Sequence, residues 1–125
     1  MKLFLDTSVL VLWIAGKPLP KSVERLLAKA DTECFISIVT GWEIILKAQL
    51  GLSPQDFDVA ISEMGAALMP IRFKHLNELF RLPYVQDHRD PFDRMLIAQA
   101  IAEELPIVSN DTRFPSYNRL RVIWD

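Results

Sequence analysis

The sequence predicts an α/β fold: a parallel sheet sandwiched between helices. Two observations point there. Short apolar runs with strand character alternate with longer helical patterns along all 125 residues, and helices spaced between short strands favour parallel crossovers. In addition, "MLIAQAIA" (95–102) is apolar on nearly every side, which marks a central, buried helix.

The chain opens "MKLFLDTSVLVLWIAG". Lys2–Leu5 reads as a buried strand, Asp6-Thr7-Ser8 as a polar turn, and Val9–Ala15 as a helix that Gly16 and Pro18 end. A secretory leader needs an unbroken apolar core of about 7–15 residues; Asp6 breaks this one, so a leader is not expected. Helices follow at Lys21–Ala30, Gly41–Leu50 (stopped by Gly51) and Pro54–Ala67. Ser53 caps the last of these, with Pro54 at its first position. Further helices are predicted at Lys74–Phe80 and Pro91–Glu104, and further strands at Cys34–Ile38, Met69–Arg72, Pro106–Ser109 and Arg121–Trp124. No repeat, low-complexity stretch or linker interrupts the pattern, so residues 1–125 are expected to form a single domain.

Half the residues are hydrophobic and 24% are charged, an ordinary globular balance. A net charge of −2 argues against a nucleic-acid binder that works by bulk electrostatics. Local charge differs: Arg72, Lys74, Arg81, Arg89 and Arg94, with His75 and His88, form either a phosphate-facing surface or a solvated helix face. The single cysteine, Cys34, forbids an internal disulfide, and its apolar run "CFISIV" suits burial. No apolar run approaches the roughly 20 residues that span a bilayer. Together these features point to the cytoplasm and away from a membrane.

The acids are the informative feature. In an open parallel sheet, ligands bind beyond the carboxyl ends of the strands. Asp6 ends the first strand, Asp111 follows the fourth in "IVSND", Glu43 sits in the first turn of a helix opened by "TGWE", and Asp90 and Asp93 open the long helix in "HRDPFDR". Each also fits a simpler role. Asp6 fits a cap on the next helix, Thr40–Glu43 a capping box, Asp90 an N-cap ahead of Pro91, and Asp111 an Asx-turn. Taken together, however, they crowd one rim. Two like charges about 4 Å apart repel by about 4 kcal/mol at an effective dielectric near 20. Such acids must protonate, find basic partners such as Arg94 or Arg113, or bind a cation. Mg²⁺ or Mn²⁺, held through oxygen ligands, resolves the conflict and suits phosphodiester hydrolysis. Of the Asp90/Asp93 pair, the cap consumes Asp90 and leaves Asp93 for the site. His75 and His88 lack zinc-site spacing and read as surface or loop residues. A glycine-rich phosphate loop and a nucleophile elbow are both absent.

The segments "FLDTSVLVLWI", "ISIVTGWEIILKAQLGL", "LPYVQDHRDPFDRMLIAQA" and "PIVSNDTRFPSYNRLRVIW" resemble the PIN-domain family, and within it the VapC-type toxins of toxin–antitoxin pairs. "HRDPFDRMLIAQA" is the most specific of them. The resemblance implies a three-layer α/β/α domain with a central, mostly parallel sheet and an acidic pocket that binds Mg²⁺ or Mn²⁺ and cuts RNA. Asp6, Glu43 and Asp93 match the family's core acids, and Asp111 its more variable fourth. Ser109 and Thr7 match supporting hydroxyls, and Asp90 remains a supporting candidate. The resemblance further implies a homodimer and a cognate antitoxin protein, part of which lies across the toxin. Trp13, Trp42 and Leu19 are candidates for such contacts, although core burial is their commoner role. The alternative function is a non-catalytic RNA- or protein-binding module on the same fold. A phospho-accepting receiver fits poorly, since "FLDTS" supplies one acid after the first strand where receivers place two.

Overall fold

The computed structural model describes residues 1–48 and 50–125. In chain order the elements are β1 (Lys2–Leu5), α1 (Thr7–Ile14), α2 (Lys21–Ala28), β2 (Glu33–Ser37), α3 (Ile38–Lys47), α4 (Pro54–Met64), β3 (Ala67–Met69), α5 (Phe73–Arg81), α6 (Pro91–Ala102), β4 (Ile107–Val108), a 3-10 turn (Phe114–Ser116) and β5 (Val122–Ile123). The sheet order is β3-β2-β1-β4-β5 and every pairing is parallel. The sheet is therefore wholly parallel where a mostly parallel one was predicted.

Strand alternation builds the three layers. Leu3 and Leu5 join Ile36 and Val108 on one face, where they meet Val9 and Leu10 of α1, Val23 of α2, and Phe57 and Ile61 of α4. Phe4 and Ile107 point the other way, onto Phe92, Met95, Leu96, Ile97 and Ala100 of α6, as a side-chain period of two requires. Because it lies against the sheet, α6 is buried at nearly every position. A helix apolar all round belongs in such a place.

Several boundaries differ from the expected ones. Ser37 ends β2 and at once caps α3, its Oγ accepting from Val39 N at 3.0 Å, so α3 starts three residues before Gly41. The same helix ends at Lys47, where Ala48 adopts a left-handed conformation (φ 49°). Gly51 is therefore not its stop, and the expected helix across Gln49 lies outside the described residues. Pro54 opens α4 behind a Ser53–Asp56 capping box, but Gly65 (φ 71°) closes it early and moves β3 to Ala67–Met69.

The basic stretch 72–94 is not one phosphate-facing surface. His75 lies on α5 and His88 in the loop before α6, and both are buried, as is Arg94; the expectation of surface or loop residues thus holds only for the loop position of His88. His75 Nδ1 accepts from Arg72 N at 2.9 Å, while its Nε2 lies 2.7 Å from Glu103. Burial of each is tolerated because every polar end is matched.

Gly41 shows how closely α3 and α4 meet. A Cβ there would stand 2.6 Å from Phe57 Cε2. Gly41→Ala is expected to destabilise the fold by about 1–3 kcal/mol through overpacking. The check is a lower midpoint in urea unfolding at unchanged slope; an unchanged midpoint would contradict this packing.

Candidate metal centre

At β1 the chain order reverses: β2 and β3 lie to one side, β4 and β5 to the other. A crevice opens at the carboxyl ends on such a switch point, and the sequence places acids on both of its walls. A cavity of about 350 Å³ there is lined by Asp6, Thr7, Glu43, Asp93, Asn110 and Asp111, with Val11 and Leu12. All four acids expected in the site thus meet in one cavity.

Asp6 follows β1 and is buried. Its Oδ1 caps α1 by accepting from Thr7 N at 2.8 Å. Its Oδ2 accepts from Ser109 Oγ at 2.7 Å and Ser8 Oγ at 3.1 Å. Capping and cavity lining therefore coexist on one carboxylate. Ser109, expected as a supporting hydroxyl, thus bonds Asp6, and it also accepts from Asp111 N at 3.1 Å. Thr7 Oγ1 bonds Thr40 Oγ1 at 2.9 Å and so ties α1 to α3.

Glu43 departs from the expected local role. With Ser37 as the cap, Glu43 lies in the second turn of α3 and makes no capping box with Thr40. Its Oε2 accepts from Lys47 Nζ at 2.7 Å. Its Oε1 is buried with no hydrogen-bond partner among the described residues.

Asp90 caps α6 as expected, with Pro91 next, and Oδ1 accepts from Asp93 N at 2.9 Å. Asp93 is left to the cavity, where Oδ2 lies 3.0 Å from His88 Nε2 and 3.6 Å from Arg113. Asp111 does form the Asx-turn, accepting from Arg113 N at 2.8 Å, and the Arg113 guanidinium adds a fork at 2.8 and 3.1 Å. Arg94 plays no such part: it turns away onto the Leu82 and Pro83 carbonyls.

Charge is unevenly matched. Within ion-pair distance, among the described residues, Asp6, Glu43, Asp90, Asp93 and Asp111 have only Lys47, Arg113 and, where protonated, His88. Burial pushes the Asp6 carboxyl up to about 6 and the nearby Asp93 charge adds to this, against the pull of its Ser109, Ser8 and Thr7 bonds. Asp93 is likewise raised, by burial and by the charges of Asp90 and Glu43, while His88 opposes the rise. Asp111 is held low by Arg113.

The donor set fits a hard divalent cation. Glu43, Asp90 and Asp93 each offer a ligand atom within 4.8 Å of the others, as do His88, Asp93 and Asp111. Asp6 stands outside both triplets but lines the same cavity. The unpartnered Glu43 Oε1 is the buried acceptor that such an ion would satisfy.

The PIN-domain family matches residues 3–120. The chain belongs to that family. Its three-layer fold agrees with solved structures over essentially full length. One is VapBC2 from Rickettsia felis bound to a promoter DNA fragment, at 19% identity, 100% of both chains and a TM-score of 0.76. Another is DNA-bound VapBC from Salmonella typhimurium, at 20% identity, 98% and 97% coverage and a TM-score of 0.74. A third is FitAcB from Neisseria gonorrhoeae, at 19% identity, 97% and 96% coverage and a TM-score of 0.64. Among curated proteins no sequence matches. At these identities the likeness speaks for the fold.

Lys47 and Asn110 escaped the sequence reading of this PIN domain, and His88 was read there without a link to Asp93. The one available signal was a histidine two positions ahead of the Asp90 cap in "HRDPFD".

Proposed function

We propose that this PIN domain, acting as one unit over residues 1–125, is a metal-dependent endoribonuclease and the toxin of a toxin–antitoxin pair. The observation that carries this reading is the shared cavity of Asp6, Glu43, Asp93 and Asp111, in which Asp6 is raised to about 6. That strain marks a site arranged to receive positive charge.

Asp6, Glu43, Asp93 and Asp111 would hold Mg²⁺ or Mn²⁺, with Asp90 beside them. When bound, the ion supplies charge neutralisation of the phosphodiester and a more acidic water. Ser109, Ser8 and the Thr7 amide fix Asp6, and His88 fixes Asp93. Lys47 and Arg113, both part-exposed at the rim, are placed to meet phosphate oxygens. Val11 and Leu12 supply an apolar part of the cavity wall.

The reading includes a cytoplasmic setting, a cognate antitoxin and a homodimer. Exposed apolar side chains on two helices support protein contacts: Trp42 and Leu46 on α3, and Phe73 and Phe80 on α5, the last 92% exposed. Concentrations of exposed apolar surface mark interaction sites. Trp42 also packs edge-on to Phe92 at 4.8 Å, whereas Leu19 is core. No described helix is long and apolar enough to cross a membrane.

The test is cleavage of RNA by the purified chain with Mg²⁺ or Mn²⁺ and with EDTA. Cleavage with either ion and none in EDTA is expected. Full cleavage in EDTA, or metal-independent RNA binding without products, would overturn the proposal, the second outcome in favour of a binding module.

A further inference from the structure

Asp93 is held from behind by a buried line of hydrogen-bond donors. His88 places Nε2 3.0 Å from Asp93 Oδ2 and Nδ1 3.0 Å from the Tyr117 hydroxyl. That hydroxyl lies 3.4 Å from Arg94 Nη1. Arg94 is anchored on the Leu82 and Pro83 carbonyls, each at 2.9 Å, so backbone rather than the cavity sets its position. The rings of Phe114 and Tyr117 lie 5.9 and 5.8 Å from the imidazole, and His88, Tyr117 and Phe114 are all buried.

The direction of each bond follows from donor inventory. A carboxylate only accepts, so opposite Asp93 Oδ2 it is the His88 Nε2 that carries the ring hydrogen and donates. In the neutral ring Nδ1 is then the acceptor, so the Tyr117 O–H donates to it while the Tyr117 oxygen accepts from Arg94. We propose that His88 is a positioning residue for Asp93, locked as the Nε2–H tautomer by Tyr117 and Arg94, and is not itself a metal ligand. This rests on the metal-dependent reading of the cavity. His88 is close enough to join Asp93 and Asp111 around an ion, but a ligating Nε2 carries no hydrogen. That state would remove the Asp93 donor and leave the buried Tyr117 O–H without Nδ1 as its acceptor. Held by His88 at Oδ2, Asp93 keeps Oδ1, which accepts no hydrogen bond among the described residues, for a cation. Partners that orient ligands in this way typically set about 10–100-fold in metal affinity.

The experiment is imidazole ¹⁵N–¹H NMR on the metal-free protein, in which His88 has only His75 to be told from, followed by Mn²⁺ titration read by electron paramagnetic resonance. The wild type is expected to show the Nε2–H tautomer at His88. Tyr117→Phe keeps the buried ring, and is expected to mix the tautomers and weaken Mn²⁺ binding about tenfold. His88→Gln, which restores an N–H donor, is expected to retain more Mn²⁺ affinity than His88→Leu at matched thermal stability. An Nδ1–H tautomer in the wild type, or Tyr117→Phe and His88→Leu binding Mn²⁺ at wild-type affinity, overturns the proposal. A wild type that binds no Mn²⁺ overturns the metal reading instead, while the tautomer, read without metal, still decides the relay.

Discussion

Asp93→Asn is expected to lower kcat/KM for RNA cleavage by about 10²–10³-fold, because a bound divalent ion is worth several kcal/mol and each 1.36 kcal/mol is tenfold. The change removes one charge and little else. Asparagine retains a carbonyl oxygen to accept from His88, and the backbone amide that Asp90 caps is untouched. The fold should survive with the same helix start, so the loss reads as chemistry rather than unfolding. Initial rates with Mn²⁺, beside a thermal melt of the same sample, check this. Wild-type rates in the variant would remove Asp93 from the site.

Asp6→Asn is expected to act in opposite directions on activity and stability. The Asp6 carboxyl stands at about 6 against an ordinary 3.8, so between those values the native state binds more protons than the unfolded chain. Stability then falls as pH rises through that window. The span corresponds to about 3 kcal/mol favouring the protonated form, at 1.36 kcal/mol per unit. The metal-free wild type should therefore be most stable at or below about pH 4 as far as Asp6 decides it, and less so above pH 6. Asp6→Asn removes that slope. At neutral pH the metal-free variant should melt several degrees above the wild type, while losing cleavage and any stabilisation by Mg²⁺. Melting curves from pH 4 to 8 with and without Mg²⁺ test both halves. An unaltered slope would show that burial of Asp6 costs nothing.

Much of this was legible in the chain because strand alternation and helix punctuation are local. The run Lys2–Leu5 and the Ser53-Pro54 and Asp90-Pro91 starts needed only their neighbours to be read, and all are where they were expected. The convergence of acids was legible through topology, since the ends of parallel strands share an edge. What failed was decided at a distance or by one residue serving twice. Ser37 both ends β2 and caps α3, which removed the loop expected before Gly41 and freed Glu43 from its cap. His75 and His88 looked like surface residues because the groups that permit their burial, Glu103 and Tyr117, lie 28 and 29 positions away. Arg94 was a plausible partner for the acids until the Leu82 and Pro83 carbonyls claimed it. Periodicity carries no record of such pairings.

The most direct measurement is anomalous diffraction from crystals of the chain soaked in Mn²⁺. A peak within ligand distance of carboxylate oxygens of both Asp6 and Asp93 is the expected result, with Glu43 Oε1 directed toward it. A cavity that stays empty at high Mn²⁺, with Lys47 and Arg113 still clasping Glu43 and Asp111, would contradict the shared cation on which the nuclease reading depends.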